Sequence, residues 1–266
     1  MIFLNSYNAV NLNNNYREIT MPYTLAVISD IHANLTALDT VLAHIIQEYP
    51  EIIEIYCPGD LAGYGPDPSA VIDLLLKERR VTVITRGNHD HAVGGGGRDT
   101  AKFNPYAQEA IHWQVEVLSQ EEKSFLYQLP NSRTCIHGSF PARIAIVHGS
   151  PTYPLDEYIL PGTSQQKDLF PFMELFELDI LLLGHTHIPF IDIQVSKESG
   201  NKMIMMNSGS IGQSRDRDPR ASYGVIDVEK MNAEIVRVDY DIDLVERKIV
   251  EVGLPEYLGQ RLHKGI

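Results

Sequence analysis

From residue 23 to residue 86 the chain alternates between two textures, and no other feature restricts its fold as much. Residues 23–29 are a short apolar, β-branched run that reads as a buried strand. Asn34 stands where a helix cap is expected, and Leu35, Leu38, Val41, Leu42 and Ile45 follow at helical spacing. Residues 52–57 read as a second strand and 81–86 as a third. Between them, 69–80 reads as a helix with Val71, Ile72 and Leu75 on one face. A parallel strand pair needs a long crossover, and a helix supplies it, so this order is the pattern of parallel βαβ units. Each strand runs into a polar loop, and loops at the carboxyl ends of strands are where α/β proteins build sites.

The texture changes at four consecutive glycines, residues 94–97, which do not hold a helix or strand cheaply. Two helix-like stretches follow, 105–118 and 120–129, carrying Phe103, Tyr106, Trp113, Phe125 and Tyr127 around them. The segment 94–131 reads as a small helical insert behind a hinge, a cap over whatever the preceding loop does. Strand texture returns at 142–147 and 179–183, with a helix near 165–176 between them. Further strands are expected at 190–195, 203–206, 222–228 and 233–240, and a last helix near 242–252. The strand-rich second half points to a second sheet.

Composition narrows the class of protein. The 266 residues are 44% hydrophobic and 21% charged. This is ordinary for a globular chain and excludes disordered, collagen-like and disulfide-stapled types. Lys+Arg 22 against Asp+Glu 35 leaves a net charge of −13. Such a surface repels phosphate backbones and disfavours a stable nucleic-acid complex or an anionic-membrane binder. Hydrolysis of phosphates stays open, because metal ions reverse the field locally. Two cysteines, Cys57 and Cys135, make no disulfide framework, and no apolar run approaches bilayer length. The expectation is a protein of the cytoplasm. Residues 1–20 are rich in Asn and lack the basic start and apolar stretch of a signal peptide. They read as a disordered tail or as a non-native extension ahead of a start at Met21, leaving 21–266 as a single domain.

Five loops hold nearly all the unusual residues, and each directly follows a strand. They are Ser29-Asp30-Ile31-His32, Pro58-Gly59-Asp60, Gly87-Asn88-His89-Asp90, Val147-His148-Gly149 and Gly184-His185-Thr186-His187. In extended backbone, positions i and i+2 point to the same side, so Asp30 with His32, and His185 with His187, are each expected to grip one ion or two adjacent ones. Imidazole, carboxylate and carboxamide donors without thiolate suit Mn²⁺, Fe, Zn²⁺, Co²⁺ or Ni²⁺. Seven candidate ligands (Asp30, His32, Asp60, Asn88, His148, His185 and His187) exceed what one tetrahedral ion takes. They fit two ions about 3.5–4 Å apart. A carboxylate such as Asp60 is able to bridge the pair. His44, His91, His112, His137 and His263 lie outside this pattern and read as surface or packing residues.

This series of motifs resembles the calcineurin-like metallophosphoesterase superfamily, in particular its small bacterial and archaeal phosphodiesterase-like branch. The resemblance runs from about residue 24 to residue 212. It implies an α/β fold: a four-layer αββα sandwich of two mixed sheets flanked by helices. It further implies that Asp30, His32 and His187 hold one metal, that Asn88, His148 and His185 hold the other, and that Asp60 bridges. Mn²⁺ is the first expectation for both. His89 would bind no metal and would protonate the leaving oxygen while a metal-bridging hydroxide attacks phosphorus. The protein Ser/Thr phosphatase branch carries an acid three residues after the aspartate that Asp60 matches; here that position is Gly63. A phosphoprotein substrate is thereby disfavoured, and the partner that orients His89 is left unidentified.

Substrate contacts are expected from Tyr64, Asn207 and Arg215, each with a plainer alternative: packing, a turn support, and a self-neutralising surface loop. The implied substrate is a small phosphodiester, with nucleotide-derived esters among the candidates. A phosphomonoesterase or dinucleoside-polyphosphate hydrolase is the alternative. A non-catalytic protein-binding scaffold of the same fold is the third reading, disfavoured because His89 and every ligand are retained. The oligomeric state is not legible.

Overall fold

The computed structural model describes residues 23–97, 100–136 and 142–266. The expected extension at 1–20 and His137 lie outside the described residues. Ten strands and eight α-helices follow one another among the described residues. The first half runs β1 (Thr24–Val27), α1 (Leu35–Glu48), β2 (Glu54–Cys57), α2 (Pro68–Lys77) and β3 (Val81–Ile84). It continues with α3 (Asn88–Gly94), α4 (Pro105–Val117) and α5 (Gln120–Gln128). Then come β4 (Ser132–Ile136), β5 (Arg143–Val147), α6 (Ser164–Leu175), β6 (Ile180–Leu183), β7 (Phe190–Val195) and β8 (Lys202–Asn207). The chain closes with β9 (Ala221–Asp227), β10 (Asn232–Val238), α7 (Ile242–Glu251) and α8 (Tyr257–Gln260).

Two five-stranded mixed sheets result, ordered β10-β9-β1-β2-β3 and β4-β5-β6-β8-β7. In the first, β1–β2 and β2–β3 are parallel, and Leu25 stands opposite Glu54. In the second, β5–β6 and β6–β8 are parallel, with antiparallel β4 and β7 at the edges. Strand alternation then sorts the core into layers. Leu25 and Val27 face the other sheet and pack among Ile144, Ile146, Leu182 and Met206. Ala26 and Ile28 face the opposite way, onto Leu38, Val41 and Ile45 of α1 and Val71, Ile72 and Leu75 of α2. Leu181 and Leu183 likewise turn outward onto Leu169, Phe170 and Met173 of α6. The four-layer αββα sandwich is therefore present, and β1 is buried at every position because both of its faces are covered. Truncating such a side chain to Ala costs about 2–5 kcal/mol.

Helix starts follow the capping chemistry in the sequence. The Asn34 side chain accepts the Ala37 N–H at 3.0 Å, and its amide donates to Gly212 O at 3.1 Å. Asn104 caps α4 in the same way, and Ser119 with Glu122 forms a capping box on α5.

Three expectations need correction. β9 and β10 do not join the second sheet; β9 pairs antiparallel with β1 and extends the first. The edge strand β4 has no alternating apolar signal, since four of its five residues are exposed. The Gly87–Asp90 motif is not all loop: Asn88 and His89 open α3, and Gly94 is its last residue. A Cβ on Gly94 would meet Tyr127 N at 2.7 Å and Lys123 O at 2.9 Å, so this glycine lets α3 lie against the backbone of α5.

Candidate metal centre and active site

Asp30 and His32 follow β1, Asp60 follows β2, and Asn88 and His89 begin the helix after β3. His148 follows β5, and His185 and His187 follow β6. Because β1–β3 and β5–β6 are parallel pairs, these carboxyl ends lie along one rim of each sheet. The packing of the two sheets brings the rims together.

The backbone there is not extended. Asp30 (φ 53°), His32 (49°), Asp60 (55°), His185 (68°) and His187 (58°) all occupy the left-handed region. The i, i+2 pairing therefore arises from turns rather than from the strand geometry expected. Such a conformation costs about 1–3 kcal/mol per non-glycine residue and persists only where surroundings over-determine it. Here they do. Asp30 N donates to Gly59 O and His32 N to Asp60 O, each at 3.0 Å, while Ser210 Oγ donates to Asp30 O at 2.7 Å. The Asp90 carboxylate accepts four backbone N–H groups: Asp60 (2.8 Å), Leu61 (2.8 Å), Ala62 (3.0 Å) and Gly87 (3.0 Å). Gly87 has to be glycine, since a Cβ would sit 1.9 Å from Asp60 Oδ1.

Two groups of buried donors form. In one, the ligand atoms of Asp30, His32 and His187 all lie within 4.8 Å of one another; in the other, those of Asp60, His148 and His185 do. Asn88 joins the second, with Oδ1 3.0 Å from His148 Nε2. Asp60 Oδ2 links the groups, at 3.3 Å from His148 Nε2 and 3.6 Å from His32 Nε2. His89 lies within the same 4.8 Å of His32 and Asp60.

The imidazole tautomers follow from the outer contacts. His32 Nδ1 faces Ala62 O at 2.8 Å, His148 Nδ1 faces Pro58 O at 3.0 Å, and His187 Nδ1 faces Gln213 O. A carbonyl only accepts, so each Nδ1 carries a proton and each Nε2 is left facing inward, where a cation takes its lone pair and displaces any proton held there. His32 Nε2 and His187 Nε2 then stand 3.1 Å apart, with Asp30 Oδ1 3.2 Å from the latter. A cage of lone pairs and carboxylates this close repels itself unless cations occupy it, so the donor set fits divalent metal ions.

Electrostatics agree. Burial pushes the Asp30 and Asp60 carboxyls up, but the surrounding histidines outweigh it and hold both below the usual carboxylate range. Burial pushes His32, His187 and His89 down, with Arg215 adding to the effect on the last two, and burial and His148 push His185 to about 3. His148 alone moves upward, to about 9, because Asp60 and Asp30 outweigh its burial. The carboxylates are thus ionised and most imidazoles neutral, which is the state that binds metal.

A cavity of about 270 Å³ opens over this cage, floored by Asp60, Asn88, His89, His185 and His187. Its walls include Tyr64 and Arg215. Arg215 Nη2 lies 3.3 Å from Tyr64 Oη and 3.1 Å from Gln213 Oε1. Asn207 is not among the residues that line this cavity. It is fully buried; its amide N–H groups donate to Gly184 O (2.6 Å) and Thr186 Oγ1 (3.0 Å) and prop the His185–His187 turn, while its oxygen accepts the Gly209 N–H (2.9 Å) in its own loop.

Other wall residues escaped the sequence reading. Lys102, Phe103 and Asn104, ahead of α4, line the cavity, and Lys102 pairs with Asp156 at its mouth. The Tyr158 ring lies 4.0 Å from that of His185. The role of Asp90 was hidden too, although its place beside Asn88 and His89 was a signal; Gln114, in the middle of α4, carried none. His44 contacts Tyr223 Oη at 2.9 Å and His263 contacts Glu246 at 2.8 Å, both away from the cage.

Residues 23–231 match the family model described as the calcineurin-like phosphoesterase superfamily domain. The chain belongs to that superfamily. An uncharacterised protein of Methanocaldococcus jannaschii is 37% identical over 256 residues, covering 91% of this chain and 98% of its own length. The crystal structure of a metallophosphoesterase from Sphaerobacter thermophilus is 33% identical with a TM-score of 0.73, and the match covers 92% of this chain and 100% of that one. A hypothetical protein from Pyrococcus horikoshii, 24% identical with a TM-score of 0.80 over 92% of this chain and 99% of its own, shares the fold. This superfamily member therefore has the two-sheet fold of metallophosphoesterases, and its buried His/Asp clusters are consistent with a metal site. No helix among the described residues is long and apolar enough to cross a membrane.

Proposed function

We propose that this metallophosphoesterase hydrolyses a small phosphodiester over a pair of divalent cations, Mn²⁺ first among them. The observation that carries the reading is the position of Asp60 Oδ2, within 3.6 Å of a ligand nitrogen from each group. Asp30, His32 and His187 would hold one cation, Asn88, His148 and His185 the other, with Asp60 shared. Bound cations supply Lewis acidity toward a phosphoryl group and lower the pKa of water.

The chain's own residues supply the rest. Arg215, facing the cavity, has no carboxylate partner among the described residues and offers its guanidinium fork to phosphoryl oxygens. His89 lines the same cavity without being needed to complete either ligand group. An anionic phosphoryl group bound beside it offsets the positive Arg215 that pushes the ring down, and the protonated ring delivers a proton to the departing oxygen, which an alkoxide needs in order to leave. The helical segment at 94–131 belongs to the same catalytic unit, since Lys102, Phe103 and Asn104 wall the cavity. The free thiols of Cys57 and Cys135 support a reducing, cytoplasmic setting.

The test is a metal-dependent assay of bis(p-nitrophenyl) phosphate against p-nitrophenyl phosphate. Turnover of the diester supports the proposal. Turnover of the monoester alone redirects it to a phosphomonoesterase, and diadenosine polyphosphate as a third substrate tests the polyphosphate alternative. Turnover of none with both cations bound leaves the binding-scaffold reading.

A further inference from the structure

His89 lacks the hydrogen-bonded partner that usually orients a proton-donating imidazole. Its Nδ1 is buried and has no hydrogen-bond partner among the described residues. The ring is instead walled in. The Tyr64 ring lies 4.6 Å away, and the Phe103 and His32 rings 4.8 Å away. Beneath it runs bare backbone at Gly63, where a Cβ would stand 2.2 Å from His89 Nδ1 and 2.7 Å from Cγ. Gly63 (φ +92°) and Tyr64 (φ 54°) both have left-handed backbone, so this turn does not hold its shape unaided.

Two kinds of contact hold it: the Gly65 N–H donates to His32 O at 3.0 Å, and the Gln114 side chain binds the turn at both ends. This side chain is fully buried on α4, where an amide without partners would cost about 1–3 kcal/mol per group. Its Oε1 accepts the Gly63 N–H at 2.7 Å, and its Nε2 donates to Gly65 O at 2.9 Å. One amide thus clamps both ends of the Gly63-Tyr64-Gly65 turn. That turn sets the wall on one side of His89 and the Tyr64 ring on another.

We propose that Gln114 is a positioning residue for His89: it replaces the missing orienting carboxylate with a rigid backbone wall. The inference rests on the reading of His89 as the proton donor. It makes α4 part of the catalytic apparatus, through a residue that touches neither substrate nor cation. Neither Gln114 hydrogen bond goes to a ligand side chain, so its loss is expected to act on proton delivery more than on binding.

The experiment compares the full-length wild type with His89→Ala, Gln114→Met and Gln114→Glu. Met keeps the volume but removes both hydrogen bonds; Glu keeps the acceptor for the Gly63 N–H. Each protein is loaded with Mn²⁺, its metal content is measured by elemental analysis, and its thermal unfolding is recorded. Each is assayed on aryl esters, mono- or diester as the assay above selects, with leaving phenols graded from 4-nitrophenol to phenol. His89→Ala is expected to lose kcat steeply as the phenol becomes a poorer leaving group. Gln114→Met is expected to do the same in milder form, with a kcat loss about tenfold larger on the phenyl than on the 4-nitrophenyl ester, unchanged KM and unchanged metal content. Gln114→Glu should recover part of the phenyl-ester rate.

If His89→Ala loses rate uniformly across the series, the proton-donor reading falls and this inference falls with it. If His89→Ala is steep but Gln114→Met is uniform or unaffected, only the inference is overturned. If Gln114→Met does not fold, the decision passes to Gln114→Glu, and a uniform loss there overturns the inference.

Discussion

The Asp90 carboxylate accepts the backbone N–H of Asp60 at 2.8 Å and so fixes, from behind, the residue that joins the two ligand groups. Each Asp90 oxygen takes two such N–H groups: Asp60 and Gly87 on Oδ2, Leu61 and Ala62 on Oδ1. An Asn amide would turn two donors against two donors. Asp90→Asn is therefore expected to lose about 2–6 kcal/mol of stability, at about 1–3 kcal/mol for each of the two stranded N–H groups. Metal affinity should weaken about 10–100-fold. Urea unfolding and a calorimetric metal titration check both, and a variant matching the wild type in each refutes the clamp.

Asp60→Asn removes the shared charge, while His185→Ala removes a ligand from one group only. Elemental analysis of Mn²⁺-loaded protein should show loss from both positions in the first and from a single position in the second. Equal stoichiometry in the two variants would contradict a bridging Asp60.

His89→Ala should keep its cations and lose at least ~10²-fold in kcat on an alkyl phosphoester, the lower span of general-acid catalysis. Unchanged turnover on such an ester, with the metal content intact, rules out the proton-donor role.

Arg215 and Asn207 should separate cleanly. Arg215→Ala is expected to reduce kcat/KM about 10-fold or more, the worth of a hydrogen bond from a charged group, and Arg215→Lys should not restore it. Asn207→Ala, which removes two contacts behind the His185–His187 turn and one with Gly209, should lower the unfolding temperature and leave KM alone. A rise in KM for Asn207→Ala would put that side chain back at the substrate.

Chelation should lower the unfolding temperature, because the inward lone pairs of His32, His148 and His187 lose their counter-charge. Free cation at 100 times its Kd stabilises by about 2.7 kcal/mol. A wild type whose melting is indifferent to chelator and to added Mn²⁺ would count against the cage; Asp60→Asn should already show that indifference.

Much of the site was legible because its parts are local. Each ligand follows an apolar run, and parallel strands carry their carboxyl ends to a common rim, so Asp30, Asp60, Asn88, His148 and His185 were readable from order alone. The backbone that aims them was not. The left-handed φ values at Asp30, His32, Asp60, His185 and His187 are imposed by hydrogen bonds between loops, such as Asp30 N to Gly59 O, that no local pattern encodes. The placement of β9 was equally unreadable: a strand buried on both faces looks the same whichever sheet it joins, and it joined β1.

Donor chemistry belongs to individual side chains, so the string of residues alone determined that imidazoles, carboxylates and one carboxamide would be available after successive strands. Distances belong to packing. His32 and His187 are 155 positions apart in the chain yet 3.1 Å apart at their ring nitrogens. The stacking of two sheets set that separation, while contacts between neighbouring loops chose the proton-bearing nitrogen of His32, His148 and His187 and laid His89 against Gly63, next to Gln114.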